Sequence, residues 1–208
     1  MIVTELKRNI KFKKLTEVYI DFEYAFSLYD NELREFGIFA EKCIDEEDLD
    51  KIFIKLKKNA INAALRMISR SDHTTMMVAD KLSLRKYPLS IIENTIEYIN
   101  EKGFTYDLQY AKDFTKSAFG RGKGRKYVEF ELKKRGIDDK TIKTLTMEYD
   151  LESKLRELAE SKLLSILKGR INPDFKDFSK MRDYLLRQGF DFDEVADAVS
   201  YVKGKYYD

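Results

Sequence analysis

Tryptophan is absent from these 208 residues, and the chain holds only two prolines, one histidine and one cysteine. A lone Cys43 excludes an internal disulfide and fits a reducing, cytoplasmic setting. Glu41 and Asp45 flank it, and acidic neighbours disfavour a thiolate, so Cys43 is expected as a small, partly buried apolar residue. A single histidine, His73, leaves no material for a histidine-rich metal site or a histidine-based triad, and is expected in the first turn of a helix. No run approaches the roughly 20 apolar residues of a membrane span. The opening MIVTELKRN has neither the apolar core nor the small-residue cleavage site of a signal peptide. The stretch FGRGKGRK lacks the glycine–lysine–serine/threonine order of a phosphate loop and follows a helical pattern, which argues against nucleotide binding. Acidic pairs such as Glu46-Glu47 and Asp138-Asp139 sit at helix starts, where the helix dipole accounts for them. No catalytic residue, metal or cofactor is therefore expected.

What the chain has in quantity is charge, 37% of residues, beside 43% apolar residues, a combination that suits a helix-rich domain. The charge is uneven. Residues 1–58 carry a net −2, residues 59–148 a net +5 and residues 149–208 a net −1. The middle is thus the anion-facing part. The balance is too modest for tight, non-specific coating of duplex DNA.

Only the opening reads as strand. Val18, Ile20, Phe22, Tyr24, Phe26 and Leu28 alternate with mostly polar positions, and Asp21 is a plausible turn. With Ile2 to Leu6 they predict a small sheet within residues 1–29. Helices follow. Asp30 is expected to cap a short one ending at Gly37, and one long helix is expected over 46–69. Further helices are predicted from a Ser71 cap to Arg85, from Pro88 or Ser90 to Gly103, from a Thr105 cap to Phe119, and over 125–135, 139–149 and 151–169. Asn172-Pro173 opens the next, to Gly189, and Asp191 the last, to about Val202.

Three stretches echo one another. Leu82, Leu132 and Leu185 align, as do Tyr87, Ile137 and Phe190, and Ile92, Ile142 and Val195; Lys86, Gly136 and Gly189 precede the second set. The spacing of about fifty residues holds three short helices, and such units bury their apolar stripes by stacking. The expected fold is mainly α, with tandem three-helix repeats in an elongated array and a small N-terminal β-sheet extension. The predicted parts are an extension over 1–58 and repeats over 59–105, 106–150 and 151–208.

Residues 116–135, KSAFGRGKGRKYVEFELKKR, carry eight basic and two acidic side chains, with Gly120, Gly122 and Gly124 alternating with cations. Glycines let a backbone approach closely and adopt positive φ. Cations mark an anionic partner, although a flexible loop of solvated charges fits the same pattern. Tyr127 and Phe130 lie beside the cations, where they could stack on bases of single-stranded DNA, but aromatics at helical spacing are more often core, and Phe130 is expected there.

The run from Ala64 to Phe114, with KGRKYVEFELKKRGI after it, resembles the RecX family of recombinase regulators. Ala64, Leu65 and Arg70, then Lys81 and Leu82, then Gly103, Phe104, Asp107, Tyr110 and Ala111, and finally Lys123, Gly124, Glu131, Leu132, Gly136 and Ile137 carry the likeness. It spans about residues 59–203. The resemblance implies tandem three-helix units and a non-enzymatic, monomeric modulator of RecA. Such a protein lies in the groove of the RecA–DNA filament and restrains strand exchange, ATP turnover and co-protease activity in DNA repair and recombination. The RecA filament is the implied partner, with weak contact to single- or double-stranded DNA besides. Charge and position pick out Arg70, Arg85, Arg121, Lys123, Arg125, Lys126, Lys133, Lys134 and Arg135 as contact residues. The alternative is a helix-turn-helix-like DNA-binding protein that acts without RecA.

Overall fold

The computed structural model describes residues 1–207. Three strands open the chain: β1 (Val3–Arg8), β2 (Leu15–Ile20) and β3 (Glu23–Tyr29), in an antiparallel meander of order β1-β2-β3. The alternation buries Val18, Ile20, Phe26 and Leu28. Phe22 breaks the expected pattern. It is 88% exposed, because Asp21 and Phe22 form a two-residue turn, both at positive φ, whose twist matches that of the flanking strands. The turn is pinned to β1: the Ile2 amide donates to Asp21 Oδ1 at 2.9 Å, and the Phe22 amide to Thr4 Oγ1 at 2.9 Å.

Helix α1 (Asp30–Glu35) is capped at Tyr29 rather than at Asp30, and α2 (Glu46–Ile68) runs unbroken from an Asp45 cap. The sheet's apolar face packs on α2, with the Phe26 and Phe53 rings meeting edge to face at 6.1 Å. Helix α3 (Thr75–Leu84) starts later than predicted. Thr74, not Ser71, is the cap and accepts from the Met77 amide at 3.2 Å. His73 therefore precedes the helix. It is buried, with Nδ1 2.6 Å from the Ser71 carbonyl and Nε2 against Lys81. Cys43, expected partly buried, is exposed, because only its backbone is held, in a bridge to Ile2.

The remaining helices are α4 (Leu89–Glu101), α5 (Asp107–Gly120), α6 (Arg125–Lys134), α7 (Asp139–Met147), α8 (Glu152–Leu167), α9 (Phe175–Arg187) and α10 (Phe192–Tyr207). Within each of the sets α2–α4, α5–α7 and α8–α10, every helix touches the other two. The chain divides into a compact unit of Met1–Tyr106 and a second from Asp107 onward. Each has its own core. The sheet, α2, α3 and α4 enclose one, centred on Phe26, Ile52, Leu56, Leu82 and Ile99. Helices α5 to α10 enclose the other, around Leu132, Leu163, Met181, Leu185 and Phe190.

The echo has a physical cause. Leu82, Leu132 and Leu185 are all fully buried. Lys86, Gly136 and Gly189 all hold positive φ, at 60°, 81° and 90°. In the first two turns the amide after that residue returns to the leucine carbonyl: Tyr87 to Leu82 at 3.3 Å, and Ile137 to Leu132 at 3.1 Å. This is the bond pattern of a helix end closed by a left-handed residue. All three turns from second helix to third thus use a left-handed residue, the first two add the closing bond, and Lys86 adopts the conformation without glycine.

Candidate partner interface

The basic stretch is less free than its composition suggests. Gly124 lies against the α9–α10 turn: its amide donates to the Gln188 carbonyl at 2.9 Å, and the Lys126 amide to the Gly189 carbonyl at 3.0 Å. A Cβ at Gly124 would stand 2.3 Å from the Gly189 carbonyl carbon and oxygen. The close approach expected of these glycines is thus made at Gly124, to the protein's own backbone. Gly122, at φ +75°, ends α5, and Gly120 is the last residue of that helix.

The predicted contact cations divide by what they touch. Arg125, the first residue of α6, donates to the carbonyls of Thr146 at 3.3 Å and Tyr149 at 2.7 Å, and pairs with Glu194 of α10. It clamps the end of α7, where an arginine complements the helix dipole. Arg135 bonds the Tyr110 hydroxyl at 3.0 Å and Glu131, and lies 4.6 Å over the Phe114 ring. Lys123 reaches Gln188 Oε1 at 2.7 Å and sits 4.8 Å from the Tyr127 ring. These three are half-buried parts of the scaffold.

Arg121, Lys126, Lys133 and Lys134 are exposed. Lys126 pairs with Asp191 at 2.5 Å, a hydrogen bond that pushes its pKa up, and Lys133 pairs with Asp139 at 3.0 Å. Arg121 donates to Ser117 Oγ at 3.1 Å. Among the described residues, no acid forms an ion pair with Arg121, Lys134, Arg70 or Arg85. Arg70, exposed, and Arg85, half-buried, belong to the first unit, so the structure does not gather all nine cations in one compact body.

Between α6 and α7 lies a groove of about 680 Å³. Phe130 and Met147 line it and are 66% and 67% exposed. The core position expected for Phe130 is not observed. Val128 and Leu132, one helical turn apart, are buried, and Phe130 midway between them points to the opposite side. Ile142 contributes a buried floor, and Lys126, Lys133 and Lys143 stand at the rim with Glu129 and Asp139. An apolar centre inside a charged rim is the anatomy of a protein-binding surface. No group of histidine, cysteine and acidic side chains among the described residues could hold a metal ion, and no described helix is long and apolar enough to cross a membrane.

Two family models match: "RecX, first three-helix domain" over residues 60–98, and "RecX, second three-helix domain" over residues 107–144. The first covers the last part of α2, with α3 and most of α4; the second covers α5, α6 and most of α7, the groove's two helices included. The chain belongs to the RecX family. Proteins named "Regulatory protein RecX" align along nearly all of it. That of Clostridium botulinum (strain Eklund 17B) is 28% identical over 204 residues, covering 95% of this chain and 94% of its own. That of Bacillus subtilis (strain 168) is 26% identical over 205 residues, covering 97% of this chain and 77% of its own. A crystal structure of regulatory protein RecX matches with a TM-score of 0.62 at 19% identity, over 96% of this chain and 98% of that one. The crystal structure of RecX from Lactobacillus salivarius gives 0.61 at 24% identity, over 72% and 98%. At these identities the two structures bear on the fold of this RecX-family chain.

Proposed function

We propose that this protein is a regulator of the RecA recombinase that binds the RecA–DNA filament and restrains strand exchange, ATP turnover and co-protease activity. The observation that carries the reading is the α6–α7 groove, which sets two large exposed apolar side chains inside a basic rim on a domain matched by a RecX family model. Phe130 and Met147 supply the apolar anchors. Arg121, Lys126, Lys133 and Lys134 steer the protein to a negatively charged host, and Arg70 and Arg85 add contacts from the first unit. Lys123, Arg125 and Arg135 act chiefly by holding α6 in place, so their contact with the host is secondary. In this reading the protein is a cytoplasmic monomer without catalytic chemistry, built of an extension over 1–58 and repeats over 59–105, 106–150 and 151–208.

Co-sedimentation with RecA filaments on single-stranded DNA, with and without nucleotide, tests it. Protein should pellet with filaments and not with free RecA, and replacing Phe130 and Met147 by serine should reduce its recovery on filaments to that on the naked DNA. Equal recovery on naked DNA and on filaments would favour the alternative, a DNA-binding protein that acts without RecA.

A further inference from the structure

The β1–β2 connection carries a second concentration of positive charge, one that the net −2 of the first 58 residues conceals. Lys7, Arg8, Lys11, Lys13 and Lys14 fall within eight residues that include no acid, and all five are exposed. Arg8 is engaged by Asp30 at 2.5 Å and by the Lys13 carbonyl at 3.0 Å, and Lys7 stands opposite Glu17 in the strand register. Lys11, Lys13 and Lys14 have no acidic partner among the described ion pairs.

The tip is built rather than slack. Asn9 is buried; its Oδ1 accepts from the amides of Lys11 at 3.0 Å and Phe12 at 2.9 Å, and its Nδ2 donates to Glu17 at 2.9 Å. The Asn9 amide donates to the Leu15 carbonyl at 2.9 Å, and the Leu15 amide to the Phe12 carbonyl at 2.8 Å. The lysines are therefore displayed from a fixed turn. Phe12 is half-buried, with the Lys11 ammonium 5.9 Å from its ring, which leaves Ile10, 95% exposed, as the one fully projecting apolar side chain.

We propose that this hairpin tip is a DNA contact that grips the phosphate backbone without reading sequence. Three lysines within four residues recognise charge density rather than shape. Duplex DNA supplies that density, at one negative charge per about 1.7 Å of axis. One projecting isoleucine is too little apolar surface to insert into a bilayer beside so many cations. The contact is separate from the α6–α7 groove and needs no recombinase, so the two readings stand or fall independently.

The test is the salt dependence of binding of the full chain to a fluorescent DNA of arbitrary sequence, as duplex and as single strand, with RecA absent. Replacing Lys11, Lys13 and Lys14 by alanine should reduce the slope of log K against log salt by about 2.7 on duplex or about 2.1 on a single strand, and the arm that responds names the form bound. Replacing all three by arginine should keep the parent slope, and Lys13→Ala alone should remove about 0.9 on duplex. Far-UV circular dichroism should be the same for all variants. A parent that fails to bind DNA at 50 mM salt would overturn the proposal. So would a slope unmoved by the triple alanine variant, or charge-dependent capture by phosphatidylserine vesicles in place of DNA.

Discussion

Replacing Gly124 by alanine should destabilise the second unit severely, although the change adds a single methyl group. That carbon would stand 2.3 Å from the Gly189 carbonyl carbon and oxygen and from the Phe190 amide nitrogen, all backbone atoms that cannot rotate away. Ordinary contact between carbons needs about 3.5–4.0 Å, so the start of α6 and the α9–α10 turn must part by more than an ångström. That displacement stretches both hydrogen bonds crossing the gap, from the Gly124 amide to Gln188 and from the Lys126 amide to Gly189. Overpacking costs about 1–3 kcal/mol, and each bond left unmade costs about 1–3 kcal/mol where it is buried. A loss of about 3 kcal/mol follows, equivalent to roughly 12–24 °C in Tm for a unit of about one hundred residues. Urea and thermal unfolding followed by circular dichroism would measure it. Gly120→Ala is the control: nothing lies within 4 Å of its Cβ, and its φ is ordinary, so it should be neutral or stabilise by up to about 1 kcal/mol. A Gly124→Ala protein within about 0.5 kcal/mol of the parent would refute the packing argument and restore a flexible-loop role for these glycines.

The two classes of cation should separate in the same assay. Arg125→Ala, which strips hydrogen bonds from Thr146, Tyr149 and Glu194, should cost about 2 kcal/mol, whereas Lys134→Ala should fall within about 0.5 kcal/mol of the parent. Phe130→Ser should leave stability unchanged and weaken filament binding by about 2 kcal/mol, roughly thirtyfold, as read by co-sedimentation. Asp177, buried at the start of α9, should make stability pH-dependent. The Arg170 side chain, 2.8 Å away, and the Asp174 amide hold its pKa below the usual carboxylate value. The stabilisation is then complete above about pH 4 and is lost as pH falls through the lowered folded value. Asp177→Asn should flatten that part of the acid limb in a pH series of Tm values, and an unaltered limb would rule the residue out.

Much of the architecture could be read from the chain because local signals agreed with packing. Asp45 and Asp138 cap their helices as their positions suggest, and Asp21 sits in the hairpin turn. The aligned leucines and the left-handed residues after them repeat because the turn geometry repeats. The candidate interface was harder to read, since charge alone does not say what a cation touches. Arg125 and Arg135 look like the exposed Arg121 in sequence, yet their partners Glu194, Tyr149 and Tyr110 lie from about 24 to 69 residues away. Phe130 carried a usable signal that hydrophobicity hid: it lies between Val128 and Leu132 at an angle that excludes all three from one face. The lysine-rich hairpin was masked by averaging, because the acids of α1 and α2 cancel it over 58 residues while lying in other elements.

The central claim is that the α6–α7 groove is what acts on the recombinase, and ATP hydrolysis by RecA filaments on single-stranded DNA, titrated with this protein, tests it most directly. The parent should suppress turnover, and the Phe130→Ser, Met147→Ser protein, folded to the same Tm, should need at least thirtyfold more to reach half-suppression. Equal suppression by the two proteins would contradict the claim and move the docking surface elsewhere on the chain.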